Sequence, residues 1–164
     1  MNIIKRHYLK RSFKKQIFPK KEKLTFPEKI SSIGILASTQ EEFLTSKENL
    51  HSVFGESVEI SGFYDSGTDL ELGISSRDFN LWGKPNARIE SFLEKKTDFI
   101  LVPTLNLNPY LLYLLLHSKT AIKIGFHSSE NRKYLDLMLD YKNNNLKESI
   151  QDLLDYYIKI KKAC

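Results

Sequence analysis

The chain has 164 residues, of which 41% are hydrophobic and 27% are charged, and its formal net charge is +5. This length supplies one sizeable core and is too short for two ordinary domains. The single cysteine, Cys164, excludes an internal disulfide framework, and no apolar run approaches the roughly 18 residues that a membrane-spanning helix needs.

The positive charge is concentrated at the start of the chain. Residues 1–23 contain nine Lys or Arg and one acid, whereas the other 141 residues contain 16 basic and 19 acidic residues. The sequence therefore predicts a basic N-terminal arm and linker over residues 1–29, followed by a near-neutral domain over residues 30–164. Charges interrupt the apolar residues of the arm, which argues against a secretory signal and for a cytoplasmic protein, or one peripheral to the membrane.

Two interpretations of the arm stay open. It is either a polybasic segment that binds the phosphates of RNA or of an anionic lipid surface, or a solubilising leader that packs its few apolar residues on the domain. Under the first interpretation, the candidate anion-binding or partner-binding residues are Lys5, Arg6, Lys10, Arg11, Lys14 and Lys15.

The first elements of the domain are a strand and a helix. The apolar run Ile33–Ala37 predicts the strand. Ser38 and Glu41 have the spacing of a capping box, which predicts a helix that runs to about Phe54 and stops at Gly55.

The middle of the chain shows weaker patterns. Ser57–Tyr64 predicts a second strand, whereas residues 68–97 predict irregular structure apart from a short helix over Ala87–Lys96. Two aromatic residues in this region, Phe79 and Trp82, could stack on a base or a sugar ring, or could anchor a long loop on the core.

The second half has stronger signals. Its predicted elements are a central strand over Asp98–Thr104, a helix over Tyr110–His117 capped by Asn108 and Pro109, strands over Ala121–Phe126 and Tyr134–Leu139, and a helix over Leu146–Ile160. Alternating strands and helices of this kind predict a single α/β, Rossmann-like domain with a mostly parallel sheet and helices on both faces. Asp136 interrupts an apolar strand, so we expect it to pair with Lys123 or Arg132.

In such sheets, ligands bind beyond the carboxyl ends of the strands. The candidate ligand-binding residues in the loops at that edge are Ser38, Thr39, Thr104, Asn106, His127 and Arg132. The chain contains no glycine-rich phosphate loop, no clustered metal-ligand motif and no nucleophile elbow. The sequence therefore predicts no cofactor, no metal and no catalytic residue.

Two resemblances bear on these expectations. The segments SSIGILAS, DFNLWGKP, DFILVP, LLHSKTAIKIGF and YLDLMLD together resemble an uncharacterised bacterial family of short Rossmann-like proteins. That resemblance implies the fold and an intracellular setting, and it supplies no catalytic residue. Asp98–Gly125 is also similar to the N-terminal half of heptosyltransferase-type glycosyltransferases. Those enzymes carry a catalytic acid in the first strand–helix loop, where this chain has Ser38-Thr39-Gln40.

The predicted function is a non-catalytic binding or interaction module of unknown partner that uses the polybasic arm. One alternative is a small enzyme or degenerate glycosyltransferase-like protein whose site lies at the strand carboxyl ends. The other alternative is an RNA- or ribosome-associated protein, whose binding would weaken steeply with salt.

Overall fold

The computed structural model describes residues 2–15, 23–142 and 145–164, and in the first helix it describes the side chains of residues 3–11. The helices are α1 (Asn2–Lys15), α2 (Gln40–Phe54), α3 (Ala87–Glu94), α4 (Pro109–His117) and α5 (Leu146–Ala163). The strands are β1 (Ser32–Ala37), β2 (Glu59–Asp65), β3 (Gly73–Ile74), β4 (Lys96–Val102), β5 (Lys119–Phe126) and β6 (Leu137–Leu139). Short 3-10 helices occupy Ser76–Asp78 and Asn131–Lys133.

The six strands form one sheet in the order β3-β2-β1-β4-β5-β6, and all neighbouring pairs are parallel. The prediction of an α/β domain with a mostly parallel sheet is confirmed, and the sheet is parallel throughout. The chain builds outward from β1 to one edge and then from β4 to the other. The direction of building therefore reverses between β1 and β4, which is the point where such sheets open a crevice.

Each face of the sheet buries its own apolar cluster. Along β4 the side chains alternate, so Phe99 and Leu101 join the cluster beneath α2 and α5, whereas Ile100 and Val102 join the cluster beneath α3 and α4. Because both faces of β4 are covered, these four consecutive residues are all apolar, as expected of such a strand. Tyr157 of α5 lies in the first cluster, with its ring centroid 4.8 Å from that of Phe99.

The neighbouring strands β1 and β2 approach closely at Gly62. This residue has φ +144°, and a Cβ built there would lie 1.9 Å from the backbone oxygen of Ile35 in β1. Only glycine fits, because it adopts positive φ without strain and has no side chain to clash.

Several predicted boundaries need correction. The second strand begins at Glu59 rather than Ser57, and the region expected to be irregular contains the short strand β3. The last strand is only Leu137–Leu139, because a 3-10 turn occupies the residues before it. Asp136 precedes this strand, and its Oδ2 accepts the backbone N–H of Lys123 at 2.8 Å, so the expected pairing with Lys123 runs through the backbone.

The basic segment at the start of the chain is not a separate arm over the residues that the structure describes. Residues 2–15 form α1, which packs against α4 and buries Leu9 in the same cluster as Ile100. Of the apolar residues of α1 with described side chains, Leu9 packs on the domain, whereas Ile3, Ile4 and Tyr8 stay exposed. The described residues therefore bear out packing on the domain in part and leave binding through this segment open. The boundary at residues 29 and 30 stays a prediction.

Candidate functional site

The sheet order places two of the predicted loops side by side. The loop after β1 and the loop after β4 meet where the sheet reverses direction, and they border an open crevice of about 530 Å³. The described residues that line it are Thr39, Glu41, Glu42, Pro103, Thr104, Leu105, Phe126, Tyr141 and Leu146. Its walls are therefore apolar on the β5 side and acidic on the α2 side.

Three of the predicted ligand-binding residues meet at this edge, and they bind one another. The Ser38 and Thr104 hydroxyl oxygens lie 2.9 Å apart. The Ser38 hydroxyl also donates to the backbone oxygen of Asn106 at 3.1 Å.

A carboxylate of the chain itself, that of Glu42, binds at the N-terminus of α2. Thr39 is the N-cap, and its hydroxyl accepts the backbone N–H of Glu42 at 3.1 Å. The Glu42 carboxylate in turn accepts the backbone N–H groups of Ser38 at 2.8 Å and Thr39 at 3.1 Å. The predicted capping box of Ser38 and Glu41 is therefore wrong by one residue. Glu42 occupies the helix terminus at which a nucleotide phosphate would otherwise bind.

Burial raises the pKa of Glu42, the hydrogen bonds from Ser38 and Thr39 oppose that rise, and the neighbouring charge of Glu41 adds to it. Two acids at one side of the crevice repel anions. The arrangement favours a neutral or cationic molecule over a phosphate.

His127 and Arg132 do not line the crevice among the described residues. His127 follows β5, and its Nδ1 lies 3.4 Å from the carboxylate of the exposed Asp140. Arg132 is exposed on the 3-10 helix that follows. The structure therefore joins Ser38, Thr104 and the backbone of Asn106, with Thr39 lining the same crevice as Thr104, and leaves the His127 and Arg132 side chains outside the group.

Asn131 is a residue that the sequence analysis missed. It is buried, and its Nδ2 donates to the backbone oxygens of Thr104 at 2.7 Å and Phe126 at 2.8 Å. These two bonds tie the ends of β4 and β5. No sequence signal marked it, because an asparagine in a polar loop is ordinary and only the tertiary structure supplies its acceptors.

The predicted basic residues lie on α1, and they are not equivalent. The Lys5 side chain is buried, and its Nζ donates to the backbone oxygen of Ser76 at 2.7 Å. Arg6, Lys10 and Arg11 are exposed. Lys14 and Lys15 lie in the last turn of α1, and their side chains are outside the described ones. Lys5 thus fixes the helix to the domain, while the exposed cations face solvent.

Beside α1 lies a tight turn over Phe79–Pro85. Phe79 is buried, with ring centroids 5.2 Å from Tyr110 and 5.4 Å from Tyr113, so the expectation of an aromatic anchor is correct for this residue. It is wrong for Trp82, which is 74% exposed at the tip of the turn.

The Trp82 ring meets the ring of Tyr8 in α1 nearly edge-on, with the two centroids 6.0 Å apart. Ile4 and Leu81 are exposed as well. We refer to Ile4, Tyr8, Leu81 and Trp82 together as the α1–turn patch. Of the exposed cations, Arg11 lies on the same side of α1 as Tyr8, and Lys84 lines the same surface pocket as Tyr8 and Trp82.

Two absences concern residues 2–15, 23–142 and 145–164, the part of the chain that the structure describes. That part of the chain contains no group of three or more His, Cys, Asp or Glu placed to hold a metal ion. None of its helices is long and apolar enough to cross a bilayer.

Comparison with known protein families gives a match over nearly the whole chain. A family model described as "Family of unknown function (DUF6913)" matches residues 3–160, a range that includes α1. No curated protein and no solved structure matches the chain significantly.

Proposed function

The chain belongs to this family of unknown function, whose description names no activity, and we propose from its geometry that it is a non-catalytic binding module. The module binds an anionic surface through the exposed cations of α1, namely Arg6, Lys10 and Arg11. The supporting observation is that α1 is held on the domain by Leu9 and Lys5 while these three side chains stay exposed.

The charge distribution supports this assignment. Residues 1–21 contain no Asp or Glu, so the positive potential of α1 is not cancelled along its own sequence. The remainder of the chain is near neutral, so the attraction to an anionic partner is directional. A helix already fixed on a folded domain also presents its charges without losing conformational entropy when it binds.

The crevice between β1 and β4 is poorly suited to an anion, which favours α1 as the anion-binding surface. Its hydroxyl groups bond one another, and Glu42 fills the terminus of α2. The Ser38 and Thr104 hydroxyl groups and the amides of Ser38 and Thr39 are thus already bonded within the chain. The exposed cations of α1, on the opposite helical layer, are therefore the better surface for an anion.

The test uses the full chain and two probes, a single-stranded RNA oligonucleotide and vesicles containing phosphatidylserine. Binding to at least one probe should weaken as salt is raised. The combined variant R6Q/K10Q/R11Q should bind roughly tenfold or more weakly. The matched control K47Q/K119Q/K159Q removes the same number of exposed charges elsewhere and should bind like the unmodified chain. Equal affinities of the two variants would refute the proposal.

One observation favours a second candidate function. The crevice lies at the reversal point of the sheet, has a volume of about 530 Å³ and presents Glu41, Glu42 and Tyr141. A small neutral or cationic metabolite would fit this lining, as in the alternative of a small enzyme or degenerate glycosyltransferase-like protein.

This second candidate is tested by thermal shift. A metabolite that raises the Tm of the chain but not that of Thr104→Val would support a crevice site. The further alternative, His127 as a site residue, predicts that His127→Ala also removes the shift. A Tm unchanged by a library of amines, sugars and nucleosides would count against the crevice.

A further inference from the structure

We infer that the anionic partner is a lipid bilayer surface and that the α1–turn patch inserts into it. This inference rests on the proposed function, because it assumes that α1 carries the binding. It adds the partner and the apolar side chains that contact it.

The patch is an unusual concentration of exposed apolar surface. Trp82 is 74% exposed, Ile4 is 52% exposed and Leu81 is 48% exposed, and Tyr8 contacts Trp82. Large apolar side chains grouped on a surface mark contact with a partner, whereas single ones need no explanation. Tryptophan and tyrosine are also the side chains that prefer the boundary between water and lipid.

The patch is pre-organised. Asn80 holds the turn, because its Oδ1 accepts the backbone N–H groups of Trp82 at 3.0 Å and Lys84 at 2.9 Å. Gly83, with φ +78°, brings the turn against α1, where a Cβ would lie 3.6 Å from Leu9. The helix and the turn therefore form one support, and insertion of the tip needs little further ordering.

The charges around the patch favour lipid over protein. Arg6, Lys10 and Arg11 are exposed on α1, and Lys84 is exposed on the turn. Neither residues 1–21 nor residues 79–85 contain an acid. The nearest acid in the chain to that turn, Asp78, is buried and paired with Arg88. Arg11 lies on the Tyr8 side of α1, three residues further along the helix, and Lys84 lines the same surface pocket as Tyr8 and Trp82. These two cations place positive charge beside the patch, which matches an anionic headgroup layer.

RNA is the competing partner, and the aliphatic residues decide against it. Trp82 and Tyr8 could stack on bases, but Ile4 and Leu81 have no stacking surface, and their exposed area gains from an apolar medium instead. The inserting group is therefore an aromatic and aliphatic tip with the exposed cations Arg11 and Lys84 beside it, which is the composition of an interfacial membrane contact.

The chain provides its own probe, because Trp82 is the only tryptophan. The full chain is mixed with vesicles of phosphatidylcholine alone, or with vesicles in which about a third of the lipid is phosphatidylserine. Binding is measured by flotation and insertion by the emission of Trp82. We expect binding to the anionic vesicles only, with a blue shift of the emission and quenching by lipids brominated on their acyl chains.

The matched variants separate the two parts of the claim. Trp82→Ala should weaken binding to anionic vesicles roughly tenfold, as expected when a large side chain can no longer be buried. Leu70→Ala removes a side chain that is 79% exposed outside the patch and should bind like the unmodified chain. Circular dichroism verifies that both variants fold.

Each outcome bears on one claim. Vesicle binding without a blue shift, or equal binding of Trp82→Ala and Leu70→Ala, would overturn the insertion but keep the proposed function if R6Q/K10Q/R11Q still binds weakly. Binding of RNA without binding of vesicles would also overturn the inference and leave the proposed function intact. Equal binding to neutral and anionic vesicles would overturn the inference, and it would overturn the proposed function as well if the RNA probe does not bind.

Discussion

Asp78 lies beneath the turn that displays Trp82, and removing its charge should destabilise the protein strongly. Its side chain is 3% exposed. One carboxylate oxygen accepts from the Arg88 guanidinium at 2.7 Å and from the Asn86 amide at 3.1 Å. The other oxygen accepts the backbone N–H of Ser75 at 2.9 Å. Every group around this carboxylate is thus a donor.

The magnitude follows from that geometry. In Asp78→Asn, the new NH₂ group must face one of these donors whichever way the amide turns. Breaking a buried ion pair costs about 3–5 kcal/mol. Arg88 is 30% exposed and keeps the backbone oxygens of Glu71 and Gly73 as acceptors, so the lower end of the range applies. A loss of about 3 kcal/mol lowers the Tm of a domain of this size by roughly 6–12 °C.

The assay is calorimetric unfolding of the variant beside Asp140→Asn. Asp140 is 89% exposed, and its carboxylate is 3.4 Å from His127, so its loss should change the free energy of unfolding by less than about 0.5 kcal/mol. The same chemical substitution is thus compared at a buried and an exposed site. Equal Tm values for the two variants would show that the network around Asp78 does not stabilise the turn.

Three further substitutions test the fold. Gly62→Ala should prevent folding, judged by soluble yield and circular dichroism, because its Cβ would overlap the backbone of β1, whereas Gly67→Ala meets nothing within 4 Å and should be tolerated. Asn131→Ala strands two buried backbone oxygens and should lower the free energy of unfolding in urea by about 2–3 kcal/mol. Burial, with the Asp98 charge adding to it, raises the pKa of Tyr157 from its ordinary value of 10 to about 12. Stability due to the neutral hydroxyl is therefore present below pH 10 and lost as the pH rises toward 12, and Tyr157→Phe should flatten that part of the pH–stability curve.

Elements whose signals are local could be predicted from the sequence. The apolar run of β4 and the Asn108-Pro109 start of α4 are both specified locally. The helix begins one residue before its predicted start, at Pro109, and the strand is Lys96–Val102, two residues earlier than the predicted Asp98–Thr104. Asn108 caps the helix with its side-chain oxygen, which accepts the backbone N–H of Leu111 at 2.9 Å. Such features depend on neighbours within a few residues, so a single sequence specifies them.

Elements that depend on distant partners could not be predicted. β3 has two residues and no pattern of its own; it exists because Gly73 and Ile74 pair with the end of β2. The guanidinium of Arg88 accounts for part of this order, since it donates to the backbone oxygen of Gly73 at 2.7 Å. The crevice was predictable at the level of its loops, because parallel strands bring their carboxyl ends together. The hydrogen bonding between its polar side chains was not predictable, because the Ser38–Thr104 contact joins two loops that are far apart in the sequence.

The α1–turn patch shows why charge and hydrophobicity patterns alone were insufficient. A search for an apolar stripe on α1 finds little, because the stripe that is buried consists of Leu9 and a lysine, Lys5, whose ammonium is satisfied by the backbone oxygen of Ser76. A lysine can be buried when its ammonium donates to a backbone oxygen, but a pattern of apolar residues does not reveal such a position. Once Lys5 occupies the inner face, Ile4 and Tyr8 are left on the side of the helix that meets Trp82. The same hydrogen bond that fixes the helix on the domain therefore determines which apolar residues remain available to a partner.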